Sequence, residues 1–177
     1  MNRVLGKVAI VTGSGSGLGR AEAMMFAREG AKVAVTDIND KSGMEAVALI
    51  RQEGGEAEYW HLNVSVEKEC ADVLAKVVEK FGKLDILVNN SGIARPTTPT
   101  HTDWKDYEEI RTINQDALVY LSLEAAHQMV TQGKGGRIIN IASMLSFLGG
   151  INSMVYGTTK HAVAGITKTM ASQLGEH

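Results

Sequence analysis

Residues 7–19 read KVAIVTGSGSGLG, a short apolar run that passes directly into a glycine-rich loop. β-Branched and small apolar residues fill Lys7–Val11, so this run predicts a buried β-strand. Apolar side chains at helical spacing then predict a helix over Leu18–Glu29, which ends before Gly30. The stretch is therefore a strand, a tight turn and a helix in immediate succession, the unit from which parallel α/β sheets are built.

The same unit repeats along the whole chain. Short apolar strands are predicted at Lys7–Val11, Lys32–Thr36, Glu56–Val64, Leu84–Asn89 and Arg137–Ala142. Helices are predicted at Leu18–Glu29, at Ser42–Gln52, after an N-cap at Ser65, at Asp103–Val130 and at Ser153–Leu174. Strict alternation of strands and helices predicts an α/β fold with a doubly wound parallel sheet and helices on both faces.

Composition narrows the class of protein. A chain of 177 residues suits one domain, and 44% apolar with 21% charged residues is typical of a globular protein. The formal net charge of −2 gives no reason to expect nucleic acid or an anionic membrane as a partner. Cys70 is the single cysteine, so no intramolecular disulfide is possible. No apolar run reaches the ~20 residues of a membrane span, and we expect a cytoplasmic protein.

The glycine-rich loop between the first strand and the first helix has the chemistry of a phosphate site. Small residues let the backbone approach a pyrophosphate, and the helix N-terminus offers free N–H groups and partial positive charge. A flexible loop with no ligand is the alternative interpretation. The position of the loop at the start of the first helix favours nucleotide binding, and the expected contacts come from Gly13, Ser14, Ser16, Gly17, Leu18 and Gly19.

An acidic residue closes the second strand. The carboxylate of Asp37 can accept hydrogen bonds from the adenosine ribose, and it would repel the extra phosphate of NADP. Ile38 follows it, and no Lys or Arg lies in the loop; Arg20 is the nearest cation. An exposed, solvated Asp37 is the alternative. The pattern favours NAD over NADP.

Tyr156 and Lys160 lie four residues apart, on one face of the last predicted helix. A free phenol, with a pKa of about 10, is a poor acid–base catalyst at neutral pH, but a nearby cation favours the phenolate. Such a spacing can also be an ordinary pair on a solvated helix face. Other polar residues favour a catalytic role: Ser143 and Asn89-Asn90-Ser91-Gly92 follow strand ends, where open α/β sheets bind ligands, and Asn114 lies unusually inside a helix.

Together these motifs resemble the ordered motif set of the short-chain dehydrogenase/reductase family. They are Gly13-x-x-x-Gly17-x-Gly19, Asn89-Asn90-Ser91-Gly92, Asn114, Ser143 and Tyr156-x-x-x-Lys160. The resemblance covers the whole chain and implies a Rossmann-type sheet with strand order 3-2-1-4-5. It also implies one dinucleotide-binding and catalytic domain over residues 1–177, which transfers hydride between NAD(H) and a secondary alcohol or ketone.

The resemblance implies a role for each matching residue. Tyr156 would be the general acid/base, and Lys160 would favour its phenolate and hold the nicotinamide ribose. Ser143 would hydrogen-bond the substrate oxygen, and Asn114 would anchor a water that relays protons to Lys160. Further cofactor contacts are expected from Asn63, Val64, Asn90, Ser91 and Gly92.

Three departures from the family pattern are visible. Ser91 stands where alanine is common, and Asn63 stands where aspartate is common; Asn63 can still donate to and accept from adenine. Family members also continue into a sixth strand and segments that close over the substrate. We therefore expect a C-terminally truncated chain, whether a fragment, an engineered shortening or a naturally short relative.

Two other functions stay open from the sequence. One is an NAD-binding module without turnover, because the substrate-closing segment is absent. The other is an interaction role, with helices 103–130 and 153–174 forming a homodimer or homotetramer, which is also expected of an active enzyme. Apolar residues follow Gly92 and Ser143, and they suggest either an uncharged substrate or core packing. Arg95 could contact a substrate carboxylate or stay solvated. The histidines lack metal-ligand spacing, so no metal is expected.

Overall fold

Five parallel strands form one sheet in the order β3-β2-β1-β4-β5 in the computed structural model, which describes residues 2–176. The strands are β1 (Val8–Thr12), β2 (Lys32–Asp37), β3 (Glu56–His61), β4 (Ile86–Asn89) and β5 (Arg137–Asn140). The helices are α1 (Gly17–Arg28), α2 (Asp40–Gln52), α3 (Glu67–Phe81), α4 (Trp104–Arg111), α5 (Ala117–Thr131) and α6 (Met154–Leu174). The predicted α/β class and strand order are confirmed.

Alternation along β1 builds an apolar core on each face of the sheet. Val8 and Ile10 pack with residues of α3 and α5, whereas Ala9 and Val11 pack with residues of α1 and α2. Because strand side chains point alternately to opposite faces, a strand covered on both sides must be apolar throughout. Burying each large aliphatic side chain contributes roughly 1.5–3 kcal/mol, so this central strand anchors the sheet.

Two strands end earlier than the sequence predicts. The third strand was predicted to reach Val64, but it ends at His61, which pairs with Asp37, the last residue of β2. The fifth was predicted to reach Ala142, but it ends at Asn140, which pairs with the last residue of β4. A strand ends where the neighbouring strand has no further residue to pair with. The apolar pattern of one segment does not show where its neighbour ends.

The helix after β3 begins without the predicted serine cap. Val66 occupies the cap position and makes no side-chain hydrogen bond there. The Ser65 hydroxyl instead donates to Asn63 Oδ1 at 2.7 Å. The prediction of Ser65 as the N-cap was wrong, because a local side-chain acceptor competes for its hydroxyl.

The predicted long helix over Asp103–Val130 is present but is not regular. A π-helical turn at Thr112–Asp116 separates α4 from α5, and Asp103 caps the start of α4 by accepting from Lys105 N. π-Helical turns are rare and occur frequently at functional sites. Asn114 lies in this turn, as described below.

β5 lies at one edge of the sheet and pairs only with β4 among the residues that the structure describes. Ile139 in this strand is 40% exposed, in contrast to the fully covered β1. A groove of about 650 Å³ runs beside β5, between α5 and the C-terminal half of α6. Within residues 2–176, no helix combines the length and the apolar character that a membrane crossing requires.

Candidate active site

A cleft of about 580 Å³ opens at the carboxyl ends of the strands. Open α/β sheets place ligands at this edge, where the connections diverge from the centre of the sheet. Most of the cofactor residues predicted from the sequence line it: Gly13, Ser16, Leu18, Gly19, Asp37, Ile38, Asn63, Val64, Asn90, Ser91, Gly92, Tyr156 and Lys160.

The glycine loop brings backbone rather than side chains to this cleft. Gly13 has φ +63°, and a Cβ on Gly19 would overlap the Gly13 carbonyl, so neither position tolerates a larger residue. Ser16 makes no side-chain cap to α1. The first N–H groups of a helix have no intrahelical partner, so those of α1 are left for a ligand. This cradle fits a pyrophosphate.

Two residues of the glycine loop, Ser14 and Gly17, are not among the residues that line the cleft. Ser14 is fully buried, its hydroxyl donates to Val11 O at 2.7 Å, and it accepts from Thr36 N at 3.0 Å. Gly17 begins α1 with φ +55° and does not line the cleft. Ser14 therefore ties β1 to β2 with its side chain, whereas Gly17 turns the chain and begins α1 with one of its free N–H groups. The predicted cofactor contacts of both residues stay predictions.

Asp37 is connected to the glycine loop. Its Oδ2 accepts from Gly15 N at 2.8 Å and its Oδ1 accepts from Asn39 N at 2.9 Å. Each carboxylate oxygen can accept more than one hydrogen bond, so acceptor capacity remains for ribose hydroxyls. Arg20, the nearest cation in the sequence, does not line the cleft; it donates to Gly15 O at 2.8 Å and pairs with Glu45 at 3.7 Å.

The two asparagines beside the cleft have different roles. Asn63 Oδ1 accepts from Ser65 N at 3.1 Å and from the Ser65 hydroxyl, and its amide N–H groups are the donors left for adenine. The predicted contact with adenine stays a prediction. The Asn90 amide donates to Thr12 O at 2.8 Å and to Gly13 O at 3.2 Å. Asn90 thus fixes the glycine loop to the end of β4.

Tyr156 and Lys160 are brought together in the cleft by α6. Lys160 is only 5% exposed, and its Nζ donates to the carbonyl of Ile141 at 2.6 Å. The same Nζ lies 5.7 Å from the centre of the Tyr156 ring. Burial lowers the pKa of Lys160, because a charged group is less well solvated inside the protein.

Asn114 lies next to the cleft rather than in it. It is 1% exposed, and its side chain accepts from Ile93 N and donates to Ile93 O, both at 2.8 Å. Its amide also donates to the Thr159 hydroxyl at 3.4 Å. The side chain is therefore used to hold the segment after β4, and its predicted role as a water anchor stays a prediction.

Ser143 does not line the cleft, although Ala142 and Ile141 before it do. Its hydroxyl caps a short 3₁₀ turn by accepting from Leu145 N at 3.1 Å, and its N–H donates to the Ser146 hydroxyl at 3.2 Å. The hydroxyl proton is still free to be donated. The structure thus gives Ser143 a local capping role and does not bring it to the cleft with Tyr156.

Two contributions escaped the sequence analysis or were left open by it. The carbonyl of Ile141 anchors Lys160, and a main-chain acceptor leaves no side-chain signal. Arg95 pairs with Glu109 at 2.6 Å and with Asp106 at 3.0 Å. The guanidinium of Arg95 is therefore paired within the protein. This pairing argues against Arg95 as a cation that binds a substrate carboxylate.

Comparison with known proteins identifies the family of this chain. A family model described as short chain dehydrogenase matches residues 7–177. An uncharacterized oxidoreductase of Thermotoga maritima is 41% identical over 94% of this chain and 65% of its own length. (+)-Borneol dehydrogenase 2 of Salvia officinalis is 36% identical over 99% of this chain and 62% of its own. The chain therefore spans slightly less than two thirds of these relatives.

A solved structure shows the same fold. A protein of Sinorhizobium meliloti, provisionally assigned as a short-chain alcohol dehydrogenase, superposes with a TM-score of 0.94 at 31% identity. The match covers 98% of this chain and 69% of that protein. The two proteins therefore share the arrangement of the strands at 31% sequence identity.

Proposed function

This chain belongs to the short-chain dehydrogenase family, and from that premise we propose that it is an oxidoreductase acting on a secondary alcohol or ketone with NAD(H). The observation that carries the proposal is the position of the Tyr156 ring beside the buried Lys160 ammonium, in the cleft that also contains the glycine loop. The dehydrogenase names of relatives agree with it.

The cofactor would be held by the chain's own groups along the cleft. The first amides of α1 receive the pyrophosphate, Asp37 the adenosine ribose, the Asn63 amide the adenine, and Lys160 the nicotinamide ribose. When bound, the nicotinamide supplies or accepts the hydride. NAD is favoured over NADP because Asp37 would repel a ribose phosphate, and Lys160 is the only cation among the described residues that line the cleft.

The proton is handled by Tyr156. In the direction of reduction its hydroxyl donates a proton to the carbonyl oxygen, and in oxidation its phenolate removes the alcohol proton. Lys160 stabilises the phenolate because its ammonium is close and poorly solvated. The carbonyl of Ile141 keeps this ammonium in place.

A second candidate is an NAD-binding module without turnover. It is favoured by the position of Ser143, whose hydroxyl caps a turn and does not line the cleft. In this candidate the cleft binds the nucleotide, but Ser143 does not orient a substrate oxygen there.

One experiment separates the two candidates. We expect NADH fluorescence to saturate on titration, and NAD-linked oxidation to appear with some member of a panel of secondary alcohols. Tyr156→Phe abolishes turnover and leaves NADH binding, whereas Tyr120→Phe, a change on α5 outside the cleft, leaves both. Binding without turnover across the panel would favour the module, and absence of NADH binding would contradict both.

Assembly and location remain predictions from the sequence. We propose a homo-oligomer formed through α4, α5 and α6, where Leu123 and Val130 are large exposed apolar residues. A monomer by light scattering at micromolar concentration would contradict it. The cytoplasmic location is likewise a proposal.

A further inference from the structure

We infer that Thr97 is a positioning residue for Tyr156: from the loop after β4 it caps the first turn of α6, the helix that carries Tyr156. The inference rests on the proposed function for the role of Tyr156. The cap itself is a property of the structure alone.

The residue at the start of α6 does not cap this helix. Ser153 is in the N-cap position, but its side chain makes no cap hydrogen bond and donates to Ile151 O at 3.0 Å. An uncapped helix start leaves its first N–H groups without partners, and a side-chain cap contributes about 1 kcal/mol.

Thr97 supplies the missing acceptors, although it lies 58 positions before Val155 in the chain. Its hydroxyl accepts from Val155 N at 3.1 Å and its carbonyl accepts from Met154 N at 3.2 Å. Its own N–H donates to Asn152 O at 3.0 Å, and the backbone of Asn152 has φ +53°. Thr97 is 1% exposed, so these three hydrogen bonds are shielded from water.

The segment that carries Thr97 is fixed at its other end to the cleft. Asn114 holds both backbone groups of Ile93, which lines the cleft, and Arg95 is paired with Glu109. Residues 93–97 therefore form a short strap between the cleft wall and the first turn of α6. Val155 directly precedes Tyr156, so loss of the Thr97 cap frees the turn that sets the Tyr156 ring beside Lys160.

The wild-type protein tests the cap without any substitution. Val155 and Lys68 are the second residues of α6 and α3, and within residues 2–176 Lys68 N has no hydrogen-bond partner. We expect the Val155 amide to exchange at least about fivefold more slowly than that of Lys68, after correction for intrinsic rates. Equal protection would overturn the inference.

Substitutions test the effect on Tyr156. Thr97→Val removes the hydroxyl and keeps the shape, Thr97→Ser keeps the hydroxyl, and Ser153→Ala removes a hydroxyl that does not cap. We expect Thr97→Val to accelerate Val155 exchange about fivefold. It should also shift or broaden the Tyr156 ring signals in spectra of ¹³C-tyrosine protein, with Tyr120 unchanged. Thr97→Ser and Ser153→Ala keep the wild-type signals.

Turnover gives a separate readout. If the protein is active, Thr97→Val lowers kcat and leaves the NADH dissociation constant unchanged, and Thr97→Ser restores kcat. Unchanged Tyr156 signals in folded Thr97→Val would overturn the positioning role. A wild-type protein without turnover would overturn the proposed function, while the ring signals would still decide the role of Thr97.

Discussion

The ammonium of Lys160 donates a 2.6 Å hydrogen bond to the carbonyl of Ile141, directly beyond the end of β5. This contact fixes a buried charge at the edge of the sheet beside Tyr156. Burial lowers the pKa of Lys160, so the folded protein binds its proton less tightly than the unfolded chain does. We therefore expect both the proposed activity and the pH dependence of stability to depend on this one group.

We expect Lys160→Met to lower turnover by about 100-fold or more, because the phenolate of Tyr156 loses its nearby cation. It should also change the pH dependence of stability. The folded-state pKa of Lys160 lies below its unfolded-state pKa. The wild-type free energy of unfolding therefore increases as pH rises from the first of these pKa values to the second. Denaturant unfolding from pH 7 to 10 should show this gain in the wild type and in Lys168→Met, but not in Lys160→Met.

Asp37 should set the choice between the two nicotinamide cofactors. We expect Asp37→Ser to weaken NADH binding roughly tenfold or more, because a hydrogen bond to a charged group is lost. The same change should tighten NADPH binding, because the carboxylate no longer repels the ribose phosphate. Fluorescence titration with each cofactor measures both. Asp40→Asn, which changes an acid outside the cleft, is the control. An unaltered preference in Asp37→Ser would contradict the role given to this carboxylate.

Two serines of the glycine loop should separate stability from binding. Ser14→Ala leaves the buried Thr36 N–H without its hydroxyl acceptor, so we expect it to lower the free energy of unfolding by about 1–3 kcal/mol. Ser16 is exposed and lines the cleft, so Ser16→Ala should weaken NADH binding with little effect on stability. Urea unfolding and NADH titration of both variants measure the contrast. The reverse pattern would show that the two serines have been given the wrong roles.

A carboxylate on α1 should be a stability liability. Glu22 Oε2 is buried and has no hydrogen-bond partner among residues 2–176, and burial raises the pKa of Glu22. A raised folded-state pKa means that stability is fully present below pH ~4.5 and is lost as pH rises through the folded-state value. We therefore expect Glu22→Met to be more stable than the wild type at pH 7, by about 1 kcal/mol, with the difference shrinking toward pH 4.

The matched control for this change is Glu79→Met, on the exposed face of α3. Thermal unfolding at pH 4 and pH 7 should show no comparable gain for it. A Glu22→Met protein that is less stable at both pH values would mean that an unrecognised partner holds the carboxylate.

The fold was predictable because its signal is local and repeated. β1 is apolar throughout since it is covered on both faces, and a glycine loop follows it at once. The meeting of Asp37 and the glycine loop at one cleft was also predictable, because Asp37 closes β2 and the loop opens α1. Tyr156 and Lys160 lie one helical turn apart, so their approach follows from helix geometry alone.

Other parts of the site depend on contacts that no local pattern contains. Ser14 and Ser16 look alike in the sequence, and only the path of the turn at Gly13 decides which of them is buried. The ammonium of Lys160 donates to the main-chain carbonyl of Ile141. The first turn of α6 donates to Thr97, which lies far away in the sequence. The partner of Asn114 is the backbone of Ile93, which any residue type except proline would offer.

The π-helical turn at Thr112–Asp116 has a consequence for the spacing of the chain. Compared with a regular α-helix, such a turn holds one residue more, and each residue of a helix advances the direction of its side chains by about 100°. Deleting a single residue between α4 and α5 would thus leave an uninterrupted helix, and α5 could keep its packing. Asn114 would then be rotated out of register with Ile93. Regular α-helical hydrogen bonding is interrupted at this one point. The interruption lets Asn114 contact Ile93 while α5 keeps its packing against the sheet.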